Sequence, residues 1–141
     1  MSLLALAASA ALSVAAQPAH SVNLDHRGST YRVDYRPHVE TRLRTIGMSA
    51  GPRPSTQKCV VIVDVSVERV IAGQSGQELK ALLTGRQSFT EHLPGSCHGR
   101  DAGTIVAAKS DSIGAHLARA AAADRPAALA AIDSAHHFAA N

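Results

Sequence analysis

From Cys59 to Ile71 the chain reads Cys-Val-Val-Ile-Val-Asp-Val-Ser-Val-Glu-Arg-Val-Ile. β-branched side chains crowd the preceding turn of a helix and fit a pleated strand, so this run predicts a β-strand. Alternation places Cys59, Val61, Val63, Val65 and Val67 on one face and Val60, Ile62, Asp64, Ser66 and Glu68 on the other. The second face begins apolar and ends polar. That predicts a central strand whose far end emerges into solvent.

Shorter alternating runs precede it. Ser21–His26 and Thr30–Arg36 flank a turn at Arg27-Gly28 and predict a β-hairpin. Pro37 either ends the second strand or marks it as an edge. Val39–Ile46 alternates again and predicts a third strand, followed by a loop rich in Gly and Pro from Gly47 to Lys58. Beyond the central strand, Ser75-x-x-Glu78 fits a capping box for a short helix through Leu83, ended by Gly85. The competing expectation is a strand over Glu78–Leu83. Ser88–Glu91 reads as a further strand. From Asp101 the chain turns Ala-rich, with Ile105, Ile113 and Leu117 at helical spacing. Asp124-Arg125-Pro126 predicts a stop and a restart, with Leu129, Ile132 and His136 on one face of a last helix. Strands first and helices last predict an α+β fold: a small antiparallel sheet with C-terminal Ala-rich helices.

Met1–Ala16 holds no charged side chain and is almost wholly Leu, Ala, Val and Ser. Val14-Ala15-Ala16 supplies the small residues a signal peptidase needs, with Ala19 offering a second cleavage point. The reading is an exported protein, periplasmic or secreted, with no transmembrane anchor in its mature form. Residues 17–122 then form a single domain, and 123–141 a C-terminal helix either packed on that domain or free of it. The chain has 141 residues, enough for one ordinary domain. Its two cysteines agree with export: Cys59 and Cys97 predict one disulfide. Aromatic residues are only 3% of the chain, so a crosslink matters more to its stability.

Signs of catalysis are weak. Cys97-His98 lacks the first cysteine of a haem-attachment motif, and adjacent residues rarely present a thiol to its base. His92, Cys97, His98 and Cys59 match no zinc spacing. Ser55-x-x-Lys58 has the serine acyl-enzyme spacing but follows prolines, precedes a strand and lacks its companion motifs. The eight histidines are dispersed, and adjacent His136 and His137 on a helix diverge by about 100°. These observations assign no catalytic residue, no metal ligand and no cofactor.

Charge is more informative. Residues 17–58 carry seven Lys and Arg against three Asp and Glu, whereas 59–141 carry seven against eight. Alternation puts Arg32 and Arg36 on one strand face and Arg42 and Arg44 on one face of the next. Together they predict a basic stripe that attracts an anionic surface or an acidic protein, or that simply solvates an outer sheet face. No aromatic accompanies these arginines, so nucleic acid has no stacking platform and is excluded as a partner. The expected function is a small, non-catalytic binding or interaction protein presenting this basic face to an anionic partner. Two alternatives accompany it. One is an inhibitor-type module acting through a disulfide-clamped loop at Gly95–Arg100. The other is a metal- or thiol-dependent enzyme.

Overall fold

A computed structural model describes residues 19–49, 51–52, 56–73 and 76–139. The expected signal segment, the Ser55 of Ser-x-x-Lys and the Ser75 cap lie outside the described residues. Strand β1 (His20–His26) and strand β2 (Ser29–Ile46) form the hairpin. Its two-residue turn has positive φ at both positions, 51° at Arg27 and 76° at Gly28. That geometry matches the right-handed twist of the flanking strands, and glycine adopts it without a Cβ clash.

β2 is one strand, not two. Its alternation runs unbroken through Pro37, which is buried and sits opposite Val67. β1 covers β2 only as far as Tyr35, so Pro37 lies just past the hairpin, where among the described residues β2 has no outer neighbour. A proline that turns its nitrogen to an open edge forfeits no ladder bond. At the far end of β2 the chain doubles back through Gly47, φ 90°, where a Cβ would come within 2.6 Å of the Thr56 carbonyl oxygen.

Strand β3 (Lys58–Ala72) is the centre of the sheet. β2 pairs with it antiparallel from Val33↔Ile71 to Ile46↔Lys58. The opposite side is shared by β4 (Glu78–Leu82), against its C-terminal half, and β5 (Gln87–Pro94), against its N-terminal half. The strand alternative for 78–83 is therefore correct and the capped helix is not. β3 offers Glu78–Leu82 unpaired backbone at a sheet edge, which outweighs the helix propensity of so short a run. The end of β3 does not emerge into solvent either. Val70 and Ile71 are 2% and 1% exposed: Ile71 joins the core under α2, and Val70, on the other face, is flanked in the ladder by Asp34 of β2 and Lys80 of β4.

A short helix α1 (Ala102–Ala107) is capped by Asp101, whose carboxylate accepts from the Gly103 and Thr104 amides. Helix α2 (Ser110–Ala139) follows and crosses one face of the sheet. It buries Ile113, Leu117, Ala121, Ala128 and Ile132 against Val33, Tyr35, Val61, Val63, Val65 and Val67. Each buried Val, Leu or Ile side chain among these stabilises the fold by about 1.5–3 kcal/mol. The expected break at Asp124–Pro126 is absent: α2 runs through Pro126. Asp124 is not a cap here. Its carboxylate turns inward to Arg69 and Tyr35. The last turns of α2 pack on the domain, with Ala128 and Ile132 buried. The fold is α+β, with a five-stranded antiparallel sheet, one helical layer and one disulfide.

Candidate functional site

Because β2 is continuous, Arg32, Arg36, Arg42 and Arg44 share one face, the sheet face opposite α2, and all four are exposed. Acidic residues interrupt the row. Arg32 Nε lies 3.0 Å and Arg36 Nη2 3.8 Å from Asp34. Ser21 Oγ donates to the same carboxylate at 2.6 Å. That hydroxyl first, and the two arginines after it, hold the Asp34 carboxyl below its ordinary value. Arg42 Nη2 meets Asp64 at 2.6 Å. Asp64 is 5% exposed, and a hydrogen bond from Ser88 followed by the Arg42 charge keeps it ionised to lower pH. Arg44 has no carboxylate within ion-pair distance among the described residues. It faces half-buried Val60 across the ladder, with Lys58 beside it opposite Ile46. The clefts bordered by Ile71 and Ile132, and by Arg69 and His116, contain none of the four arginines. Among the described residues, the stripe is an exposed strand face.

The free edge of β2 runs beside this face. Leu83 N–H donates to Val67 O at 2.8 Å, and Gly95 N–H to Gln57 O at 2.9 Å. The odd-numbered residues of β3 therefore turn their backbone groups toward β4 and β5, and its even-numbered residues toward β2. The β2–β3 register has no bulge, so the even-numbered residues of β2 bond to β3. The N–H and C=O groups of Val39, Thr41, Leu43 and Thr45 then point away from the sheet, together with the nitrogen of Pro37. Among the described residues no strand pairs with them. The side chains of Val39 and Leu43 pack on the core, while Arg36, Glu40, Arg42 and Arg44 flank the edge on the outer face.

Cys59 and Cys97 are bonded, with Cα atoms 4.8 Å apart. Neither sulfur is a free nucleophile in this form. The bridge ties the start of β3 to the loop after β5. That loop is fastened further by Cys97 N–H to Thr45 Oγ1 at 3.0 Å, by Arg100 Nε to Ser96 O at 3.2 Å and by Arg100 Nη2 to Pro94 O. Gly95–Arg100 is thus fastened to β2 and β5, with His98 and Gly99 exposed at its tip. Among the described residues, no three His, Cys, Asp or Glu side chains group as a metal site. Nor is any described helix long and apolar enough to cross a membrane.

The inner face holds polar groups that sequence reasoning missed. Arg69 Nη1 donates to both oxygens of Asp124 at 3.0 Å, and Tyr35 OH donates to Asp124 Oδ2 at 3.1 Å. Burial, then the Asp124 charge, pushes the Tyr35 phenol up to about 12. His116 on α2 is held below its ordinary value by burial and by the Arg119 charge. One signal was present in the sequence. Arg69 falls on the same phase of β3 as Val61, Val63, Val65 and Val67, a charge on the apolar side of a strand. His26 Nε2 and Arg27 Nε meet Asp133 at 2.8 and 2.7 Å, and Tyr31 OH meets His136 Nε2 at 2.5 Å. These contacts fasten α2 to the hairpin and engage two of the eight histidines, His26 and His136. A scan against models of known protein families and searches of curated proteins and of solved structures found no match.

Proposed function

We propose that this protein is a small exported, non-catalytic binding module that adds an extended acidic segment of a partner protein to the free edge of β2. The observation that carries this reading is the outward row of backbone groups at Val39, Thr41, Leu43 and Thr45, flanked by Arg36, Arg42 and Arg44. Strand addition draws affinity from main-chain hydrogen bonds and specificity from the side chains alongside. An acidic strand laid there would place carboxylates next to Arg42 and Arg44 without requiring a pocket. The apolar, cleavable character of Met1–Ala16 supports export, as does a disulfide, a crosslink that persists in oxidising compartments.

The test is titration with a synthetic peptide that alternates Glu with Val or Thr. Saturable binding that weakens with salt is expected. Thr41→Pro, which deletes an edge donor, should abolish it. Arg42→Glu/Arg44→Glu should weaken it at least about tenfold, the scale of a lost charge-assisted hydrogen bond. Arg32→Glu, beside β1 and away from the free edge, should leave it nearly intact. Binding that survives Thr41→Pro refutes strand addition. Binding to anionic vesicles with no response to the peptide would replace the partner protein by a lipid surface.

A further inference from the structure

A second surface, independent of β2, lies between α2 and the β4–β5 edge. β4 and β5 are in effect one edge strand broken by a bulge. The β3–β4 register pairs Glu68 with Leu82, whereas the β3–β5 register pairs Val65 with Gln87, so the segment 83–86 contains two residues more than the ladder needs. Bulges re-aim side chains and end local pairing. Here the bulge opens a cleft of about 640 Å³, floored by Val67 and Arg69 of β3 and walled by Arg86 on one side and His116, Arg119 and Asp124 on the other.

The cleft has an excess of positive charge and donors without acceptors. Arg69, Arg86 and Arg119 line it together with one carboxylate, Asp124. Arg69 spends its Nη1 on Asp124, and its side chain is 9% exposed. Its Nε–H is buried with no hydrogen-bond partner, and so is His116 Nε2. Leaving a buried donor of a charged group unsatisfied costs more than a neutral hydrogen bond returns, so such groups mark where an acceptor belongs. Arg86 also lowers the Asp64 carboxyl on the outer face, after the Ser88 hydrogen bond and the Arg42 contact. Arg119 has no carboxylate within ion-pair distance among the described residues.

We infer that the cleft between α2 and the β4–β5 bulge binds a small oxyanion, a carboxylate or phosphate group held by Arg69, Arg86 and Arg119. The planar guanidinium fork suits both groups. His116 lies on the same wall and reports occupancy: an anion beside it raises its pKa from the lowered value of the free protein.

Inorganic phosphate and citrate, each compared with chloride at equal ionic strength, test the proposal by NMR of the intact disulfide-bonded protein. The expected result is saturable shifts at the Arg69 Nε–H and the His116 ring, with the His116 titration moving to higher pH. Arg86→Ala and Arg119→Ala, both surface changes that leave the Arg69–Asp124 pair in place, should each weaken binding at least about tenfold. Arg44→Ala should leave it unchanged. Preference for phosphate or for citrate identifies the oxyanion class, and either supports the site. Linear shifts equal to those in chloride, or full binding by the Arg119→Ala protein, overturn it. Because β2 is untouched by these variants, this proposal and the strand-addition reading can fail separately.

Discussion

Removing the bridge as Cys59→Ala/Cys97→Ala should lower stability by about 4 kcal/mol without changing the fold. The crosslink joins residues 38 positions apart. In the chain-entropy model, closing a loop of that length removes about 13 cal/mol/K from the denatured ensemble, or about 4 kcal/mol at 25 °C. The native state keeps most of what holds it. Cys59 is flanked in the ladder by Thr45 and Leu93, and β3 remains paired along its length with β2 and β5. Alanine leaves only a small void in place of each sulfur, so the denatured-state term dominates. For about 120 residues the unfolding entropy is about 250 cal/mol/K, which turns the loss into a fall of about 15 °C in Tm. Urea denaturation followed by circular dichroism measures it directly. The variant should show the native spectrum, a lower midpoint and a steeper dependence on urea, because its denatured chain is more open. A loss below about 1 kcal/mol with an unchanged slope would refute loop closure as the source of the stabilisation. A variant that failed to fold would show that the strand register depends on the bridge, contrary to the ladder described above.

Asp124→Ala should cost about 3–5 kcal/mol by stranding Arg69 in the core, whereas Arg69→Met/Asp124→Leu should come close to neutral; chemical denaturation of both distinguishes a broken pair from a needed one. Pro126 is exposed and interior to α2, where it leaves the Ala122 carbonyl without its helical donor, so Pro126→Ala should stabilise the protein by about 1–3 kcal/mol in the same assay. The Tyr35 phenol is raised from 10.0 to about 12, so its stabilising share is whole below pH 10 and is lost as pH climbs toward 12. Melting curves across that window should fall for the wild type and fall less for Tyr35→Phe. The carboxyls of Asp34, Asp64 and Asp133 behave in the opposite sense. Each is lowered from 3.8, so their stabilisation is present above that pH and is given up as the pH drops beneath it, which acid melts should record.

The period-2 runs made the hairpin and β3 legible, and the expected ends of β1 and β3 differ from the strands by at most one residue. The disulfide was legible because two cysteines in a chain with a signal-like start have one partner each. Pro37 hid the continuity of β2. The missed clue was parity: Tyr35, Pro37, Val39 and Leu43 stay in phase, which a true strand break need not preserve. The segment Glu78–Leu82 is too short for periodicity to choose helix or strand, and only the vacant side of β3 decided it. At Asp124 a residue that caps helices elsewhere is drawn inward by Arg69, a partner 55 positions away. No local reading of α2 contains that residue. The same holds for the oxyanion cleft, whose Arg69, Arg86, His116 and Arg119 meet only through the bulge and the helix crossing. The basic stripe was legible as a face. The acidic residues that pair with it were visible in part: Asp34 lies between Arg32 and Arg36 in sequence, while Asp64 reaches Arg42 only through the β2–β3 register.

Residue-resolved amide exchange along β2, with and without the alternating acidic peptide, reads the open edge residue by residue. In the free protein the amides of Val39, Thr41, Leu43 and Thr45 should exchange fast while those of His38, Glu40, Arg42 and Arg44 are protected by β3. With peptide bound, the fast set should slow to match its neighbours. Odd-numbered amides that are already slow in the free chain, or that stay fast while the peptide binds, would contradict an open edge that receives a strand.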